Sequence, residues 1–313
     1  MSVPPEKGLA RWSFAIAVAL MVVWGVNFSV TKTILDQVSV GAMLFVRFLW
    51  MMALGAALIA WLYRGRLRQS LPGRRDLPRF AAAGLLGHTA HVGIVTWGLH
   101  LSTPFSSSLV LTSGPLWTLL ILAALGAEKL RPPQVIGTVA AFIGILLFMS
   151  DKLASGVLRA GLGDLVLLVA AALFSLYTVV ARPLTSRYGA PVLLAYTLLF
   201  GAPPVLLFTL PSVIAEPWST VPATIWLWMF YAVTLSSFMG WLAWSWVNQV
   251  RGIAKSAPLM YMMSPIAGLV SWITLGETFT WIKVTGALVT MAGVAWAQFG
   301  GGMRPAVSQA DSG

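Results

Sequence analysis

The chain contains no cysteine, so it can form no disulfide, no thiolate metal ligand and no thiol nucleophile, and its composition says nothing about redox compartment. Charge is almost as scarce. Only 9% of the 313 residues are Asp, Glu, Lys or Arg, against roughly a quarter in a soluble domain. Too little polar surface remains to coat a water-soluble globule of this size, so the solvent is lipid. Acidic residues are the rarest of the charged ones, nine in all, and none falls in the middle third of an apolar run. There is no Walker-type phosphate loop and no polar segment large enough to hydrolyse nucleotide, which excludes an ATP-driven pump within this chain.

What is present is apolar. Hydrophobic residues make up 58% of the chain, and its mean hydropathy is +0.84. The net charge of +11 raises nucleic-acid binding as a function. Such binders cluster Lys and Arg on one polar face. Here the basic residues sit in short gaps between apolar runs, so no nucleic-acid partner is expected. A helix needs ~20 largely apolar residues to cross a bilayer core. Ten runs qualify: Trp12 to Thr31, Val40 to Leu62, Arg79 to Leu101, Pro104 to Gly126, Pro133 to Ser150, Gly163 to Leu184, Ala190 to Leu210, Thr224 to Asn248, Ile253 to Gly276 and Phe279 to Phe299. The first follows Lys7 and Arg11 as the core of a signal peptide would. No soluble domain comes after it, so it is read as an uncleaved first span.

Basic residues orient the chain, because cytoplasmic loops carry the excess of Lys and Arg. With the N-terminus in the cytoplasm, fifteen fall inside, among them Arg64, Arg66, Arg68, Lys129, Arg131, Lys255 and Arg304. Four fall outside: Lys32, Lys152, Arg159 and Lys283. Both termini are then cytoplasmic, which agrees with an even number of spans.

The two halves of the chain repeat each other about 150 residues apart. Pro115 falls on Pro265 and Gly126 on Gly276. After a one-residue slip, Glu128 falls on Glu277, Gly137 on Gly286 and Gly144 on Gly293. Five spans per repeat is an odd number, so the halves enter the membrane from opposite sides. Inverted repeats suit secondary transport, because exchanging the conformations of two similar halves turns an inward-open state outward. The expected fold class is therefore an all-α membrane protein, ten transmembrane helices as two inverted five-helix repeats around a central cavity. The expected division is a tail over 1–11, a first repeat over 12–150, a second over 163–299 and a tail over 300–313.

These residues resemble the EamA family of the drug/metabolite transporter superfamily. Trp24, Gly25, Val26, Asn27 and Phe28 are similar to that family's opening WGxNF pattern, and Arg47-Phe48 to its RF element. The segments from Pro115 to Glu128 and from Pro265 to Glu277 resemble its duplicated core, with Ala127 inserted in the first. The resemblance covers nearly the whole chain. It implies ten spans, a cavity between the halves, and export or exchange of small metabolites such as amino acids.

Residues three, four and seven apart share a helix face, and polar groups in hydrocarbon usually face a bundle interior or a wet cavity. Trp24, Asn27 and Thr31 form one such stripe, matched in the second half by Phe174, Tyr177 and Ala181. Ser108, Thr112 and Pro115 form another, matched by Pro258, Met262 and Pro265. His88 and His91 form a third, matched by Phe238 and Trp241, with Ser237 ahead and Trp244 and Asn248 beyond. The expected cavity lining is Trp24, Asn27, His88, His91, Ser108, Thr112, Phe174, Tyr177, Ser237, Trp241, Trp244, Asn248 and Met262. Packing or lipid contact is the other reading of the aromatics, and helix-to-helix glue that of Ser108 and Thr112. Pro115 and Pro265 each remove a backbone hydrogen bond near mid-span, giving a hinge or a static kink.

Imidazole titrates near neutral pH. His88 and His91 could therefore couple transport to protons, hydrogen-bond substrate while neutral, or be satisfied by neighbouring helices. No third intramembrane ligand accompanies them, so neither a metal nor a cofactor is expected. Arg47 is read as structural, free to snorkel or pair with Asp36, with binding of an anionic substrate group the other possibility. Glu128 and Glu277 suit the positive end of the helix that follows each. The expected function is a secondary transporter, not an enzyme, exporting or exchanging a small amphipathic metabolite. Lacking a mid-membrane carboxylate, it should favour amino acids or aromatic metabolites over polycations. A non-transporting receptor or scaffold and an intramembrane enzyme are the competing readings.

Overall fold

A computed structural model of the protein describes residues 6–126, 131–154, 158–251 and 256–299, and among these all regular structure is helical. The first helix, α1, runs Glu6–Leu35. α2, Val40–Leu62, begins where the Ser39 side chain accepts a hydrogen bond from Ala42 N, satisfying one of the donors every helix start exposes. The third rod is continuous but not uniform. α3, Leu77–Gly84, passes into a π-helical stretch over Leu85–Val92 and returns to α geometry as α4, Gly93–Leu101. It stops at Ser102, and Thr103 caps the next helix by accepting from Ser106 N.

The run expected as one span from Pro104 to Gly126 is two helices, α5 (Pro104–Leu111) and α6 (Gly114–Ala124), broken at Thr112 and Ser113. This corrects the expected action of Pro115. It stands in the first turn of a new helix, where its missing N–H costs nothing. The counterpart behaves alike: a 3-10 turn over Ala257–Met262 leads into α11, Met263–Leu275, and Pro265 lies in its first turn. Gly126 and Gly276, at φ 68° and 65°, end the matching helices in the left-handed region that glycine tolerates.

Between them lie α7 (Pro132–Ala154), α8 (Leu158–Ala215), α9 (Ala223–Phe230) and α10 (Gly240–Arg251), the last two joined by a second π-helical stretch, Tyr231–Met239. α12, Trp281–Phe299, closes the chain. At 58 residues and 1.5 Å per residue α8 would be about 87 Å long, far beyond a hydrocarbon core of about 30 Å. It is broken at Gly189 (φ 77°, ψ 169°) into the rods 158–188 and 190–215. These fold back on each other. Asp164 meets Ser102, and Glu216, just past the other end, accepts from Ser39 Oγ at 2.5 Å. Among the described residues six helices are long and apolar enough to cross a membrane by length and composition, with shorter apolar helices at Leu259–Leu275 and Trp281–Ala297. The rod Leu77–Leu101 is not among them, and it is the one that carries His88, His91 and His100.

Packing interleaves the halves. α1 lies against α10 and α11, the rod 158–188 lies against α4, α5 and α6, α3 packs on both rods, α2 packs on the rod 190–215, and α7 on α12. The α7–α12 contact is backbone to backbone. A Cβ on Gly137 would sit 2.3 Å from Ala297 N, and one on Gly293 would sit 2.4 Å from Ala141 N. The outside of the bundle is apolar, with Phe208 83% and Trp281 86% exposed. Inside, His88, Asp164, Thr197 and fully buried serines are shut away. Apolar without and polar within is the distribution lipid solvation imposes.

Hydrogen bonds tie the bundle at both ends. At one end Lys32 Nζ donates to the carbonyls of Leu99, His100 and Ser102, capping α4, and the Asp164 carboxylate accepts from Ser102 Oγ and Ser106 Oγ. Glu277 Oε2 accepts from Phe105 N at the start of α5. Glu277 thus serves a helix of the opposite half rather than the helix that follows it. Glu128, Lys129, Lys255 and Arg304 lie outside the described residues. At the other end Asp76 Oδ2 accepts from Arg187 Nη1 (2.9 Å) and Tyr188 Oη (2.5 Å).

Candidate functional site

The expected stripes carrying His88 and His91, Phe174 and Tyr177, and Trp241 converge on one cluster of rings. Trp241 is its hub, 4.9 Å from His88, 5.3 Å from Tyr177 and 5.9 Å from Phe174 between ring centroids. His91 stacks on Phe174 at 4.9 Å, and Trp24 meets Trp244 at 5.7 Å. Two glycines let these rings come close. A Cβ on Gly87 would lie 2.6 Å from the Tyr177 ring, and one on Gly240 would lie 2.7 Å from Trp24 Nε1.

Both π stretches take part in the site. A π turn holds one more residue than an α turn and frees backbone groups, which is why such turns recur at functional sites. His88 and His91 lie on the first. Ser236 and Ser237 lie on the second, where Ser236 O accepts from Trp24 Nε1 at 2.9 Å and Ala232 O from Ser237 Oγ at 2.7 Å.

Proton bookkeeping fixes how the histidines present themselves. Thr197 Oγ1 donates its single proton to Leu193 O at 2.8 Å, so it accepts from His88 Nε2, 3.0 Å away. The Nδ1 lone pair of neutral His88 is then left buried without a partner. His91 Nδ1 lies 2.8 Å from Ala170 O, which can only accept, so the acceptor of neutral His91 is Nε2. Oδ1 of Asn27 and Oδ1 of Asn248 are likewise buried and unpartnered. Buried polar atoms are normally satisfied, so these atoms carry hydrogen-bonding capacity that the protein's own groups leave unused.

Arg47 belongs to this site. It shares a face of α2 with Leu44, Phe48 and Met51, all in the core, so it points into the bundle. Its Nη2 donates to Ser237 Oγ at 2.7 Å, not to Asp36. Thr197 stands 150 residues after Arg47. The bonds Arg47–Ser237 and Thr197–His88 are thus near-equivalent contacts between the halves, from matching positions on one side to positions one residue apart in register on the other.

Other expected lining residues are placed differently. Ser108 and Thr112 are buried, and their hydroxyls donate to Phe105 O (2.7 Å) and Leu109 O (2.6 Å) of their own helix. Met262 is 38% exposed, Pro265 is exposed and Pro115 buried. The side chain of Pro258 lies outside the description. Thr197 and Ser236 were missed from sequence, and for Arg47 the site role stood second to a structural one. The usable signal was the repeat itself, which puts Thr197 on Arg47.

The EamA-like transporter family matches residues 11–150 and again residues 161–298. A probable terminal-alkyne amino-acid exporter of Streptantibioticus cattleyicolor is 26% identical over 285 residues, covering 91% of this chain and 92% of that protein. A probable amino-acid metabolite efflux pump of Escherichia coli is 24% identical over 308 residues, 96% and 99% of the two chains. One crystal structure superposes with a TM-score of 0.61 at 18% identity, covering 92% of this chain and 97% of its own, a likeness of fold.

Proposed function

The chain belongs to the EamA-like transporter family, and on that premise we propose that it is a secondary transporter exporting or exchanging small amphipathic metabolites, amino acids and aromatic metabolites foremost. Transport runs by alternating access between two inverted five-rod halves, residues 12–150 and 163–299, ten membrane crossings in all. The protein sits in the cell membrane with both termini in the cytoplasm. The observation that carries this reading is the ring cluster in which His88 and His91 of the first half meet Phe174, Tyr177 and Trp241 of the second, edged by unpartnered polar atoms. Such a pocket offers an apolar wall to a side chain and hydrogen-bonding groups to its polar head. The interleaved packing supports alternation, since any shift of one half moves the rods that hold the other half's rings.

Two relatives whose names specify amino acids or their metabolites span nearly the whole chain, which supports the same substrate class. His88 and His91 are the groups we assign to proton coupling where transport is coupled. The test is counterflow in proteoliposomes carrying the purified protein. Labelled phenylalanine should accumulate against preloaded phenylalanine and exchange with other neutral amino acids, while spermidine should not compete. Preference for the polyamine would overturn the substrate assignment, and absence of counterflow for any solute would favour a receptor or scaffold.

A further inference from the structure

Arg47 is a cation inside the bundle with no carboxylate at ion-pair distance among the described residues. Its one hydrogen bond is to a neutral hydroxyl, Ser237 Oγ, and its Nε is buried without a partner. A guanidinium carries five N–H donors in a planar fork matched to a carboxylate. Partly buried within a membrane bundle and facing no carboxylate, it is costly, and the opposing charge is ordinarily supplied by whatever the site receives. It lies beside the ring cluster: its partner Ser237 is one turn before Trp241, and its neighbour Phe48 stands 6.3 Å from the His88 ring.

The rest of the pocket is of the opposite kind. His88 Nδ1 and Asn27 Oδ1 are open acceptors, and His91 offers Nε2 when neutral. Acceptors suit an ammonium group, the fork of Arg47 suits a carboxylate, and Phe174, Tyr177 and Trp241 suit an apolar side chain. We infer that Arg47 is the carboxylate-recognition residue of the pocket and that the ligand is a free α-amino acid with an apolar or aromatic side chain, not its amide, ester or decarboxylated amine. The inference deepens the transporter reading and rests on it for the place of binding. Ser237 acts as a positioning residue that holds the guanidinium fork in the pocket.

The experiment compares L-phenylalanine, L-phenylalaninamide and 2-phenylethylamine as ligands of the full chain, by equilibrium binding in detergent and by counterflow in proteoliposomes. The expected result is a preference of at least about 30-fold for the amino acid over both analogues, the scale of losing one partner of a buried charge pair. Arg47→Lys should keep part of this preference and Arg47→Gln should abolish it. The wild-type comparison stands even if a variant fails to fold. Equal handling of acid and amide by the wild type, or an undiminished preference in folded Arg47→Gln, would sink the inference while leaving transport intact. Arg47-dependent binding of phenylalanine without movement across the bilayer would uphold it and sink transport instead. No binding and no counterflow of any of the three would overturn both.

Discussion

Trp241 touches His88, Tyr177 and Phe174, so its removal opens the pocket from the middle. Trp241→Ala should weaken phenylalanine binding by roughly 30-fold or more, the loss of a central aromatic anchor. Trp97→Ala, at a position 56% exposed on the outside of the bundle, should leave binding unchanged. Thr197 makes a second test at this scale. Thr197→Val would leave His88 Nε2–H without an acceptor in a dry interior and should cost about 1–3 kcal/mol. That would be read as a lower unfolding temperature in detergent, and Thr197→Ser should restore it. The histidines were legible in sequence because two imidazoles three residues apart on an apolar helix are conspicuous. Their partner was not, because a lone threonine among leucines looks like any other membrane-helix threonine. Ser108 and Thr112 show the converse, polar residues on the expected face whose hydroxyls turn back to their own helix.

At the level of the helices, apolar length alone located most of the rods, and charge-bearing gaps located their ends. Local geometry was hidden. An extra residue in a π turn leaves the apolar pattern almost unchanged, so neither Leu85–Val92 nor Tyr231–Met239 announces itself. Pro115 and Pro265 read as mid-span breaks because a proline in a long apolar run suggests a kink, whereas each opens a fresh helix after a 3-10 turn or a two-residue break. Glycine spacing was more informative, since Gly137, Gly144, Gly286 and Gly293 all lie at the α7–α12 contact. Gly293→Leu should therefore destabilise the protein by about 1–3 kcal/mol or more through overpacking. Gly93→Ala, where an added Cβ meets nothing within 4 Å, should be neutral or slightly stabilising. Thermal unfolding in one detergent would compare the pair directly.

For the molecule as a whole, the duplication seen in the sequence has its counterpart in reciprocal contacts, Arg47 to Ser237 and Thr197 to His88. What no pattern in the chain conveyed is that the halves interleave rather than stand side by side, because repeats record likeness and not partnership. The proposed orientation can be checked with single cysteines, for which the cysteine-free chain is a ready background. Thr220→Cys and Thr278→Cys should react with an impermeant thiol reagent added to intact cells. Arg68→Cys and Arg131→Cys, also exposed, should react only after lysis. The opposite pattern would reverse the assignment, and labelling of all four from one side would overturn the topology.

The glycine seam limits how such a molecule can move. Gly137 and Gly293 each stand against the other's carbonyl oxygen, closer than any side chain would allow, so the two backbones touch along a line with nothing between them. A joint of that kind has no slack for sliding and no gap for a lipid tail. Whatever else shifts, these two helices should stay paired and travel as one body.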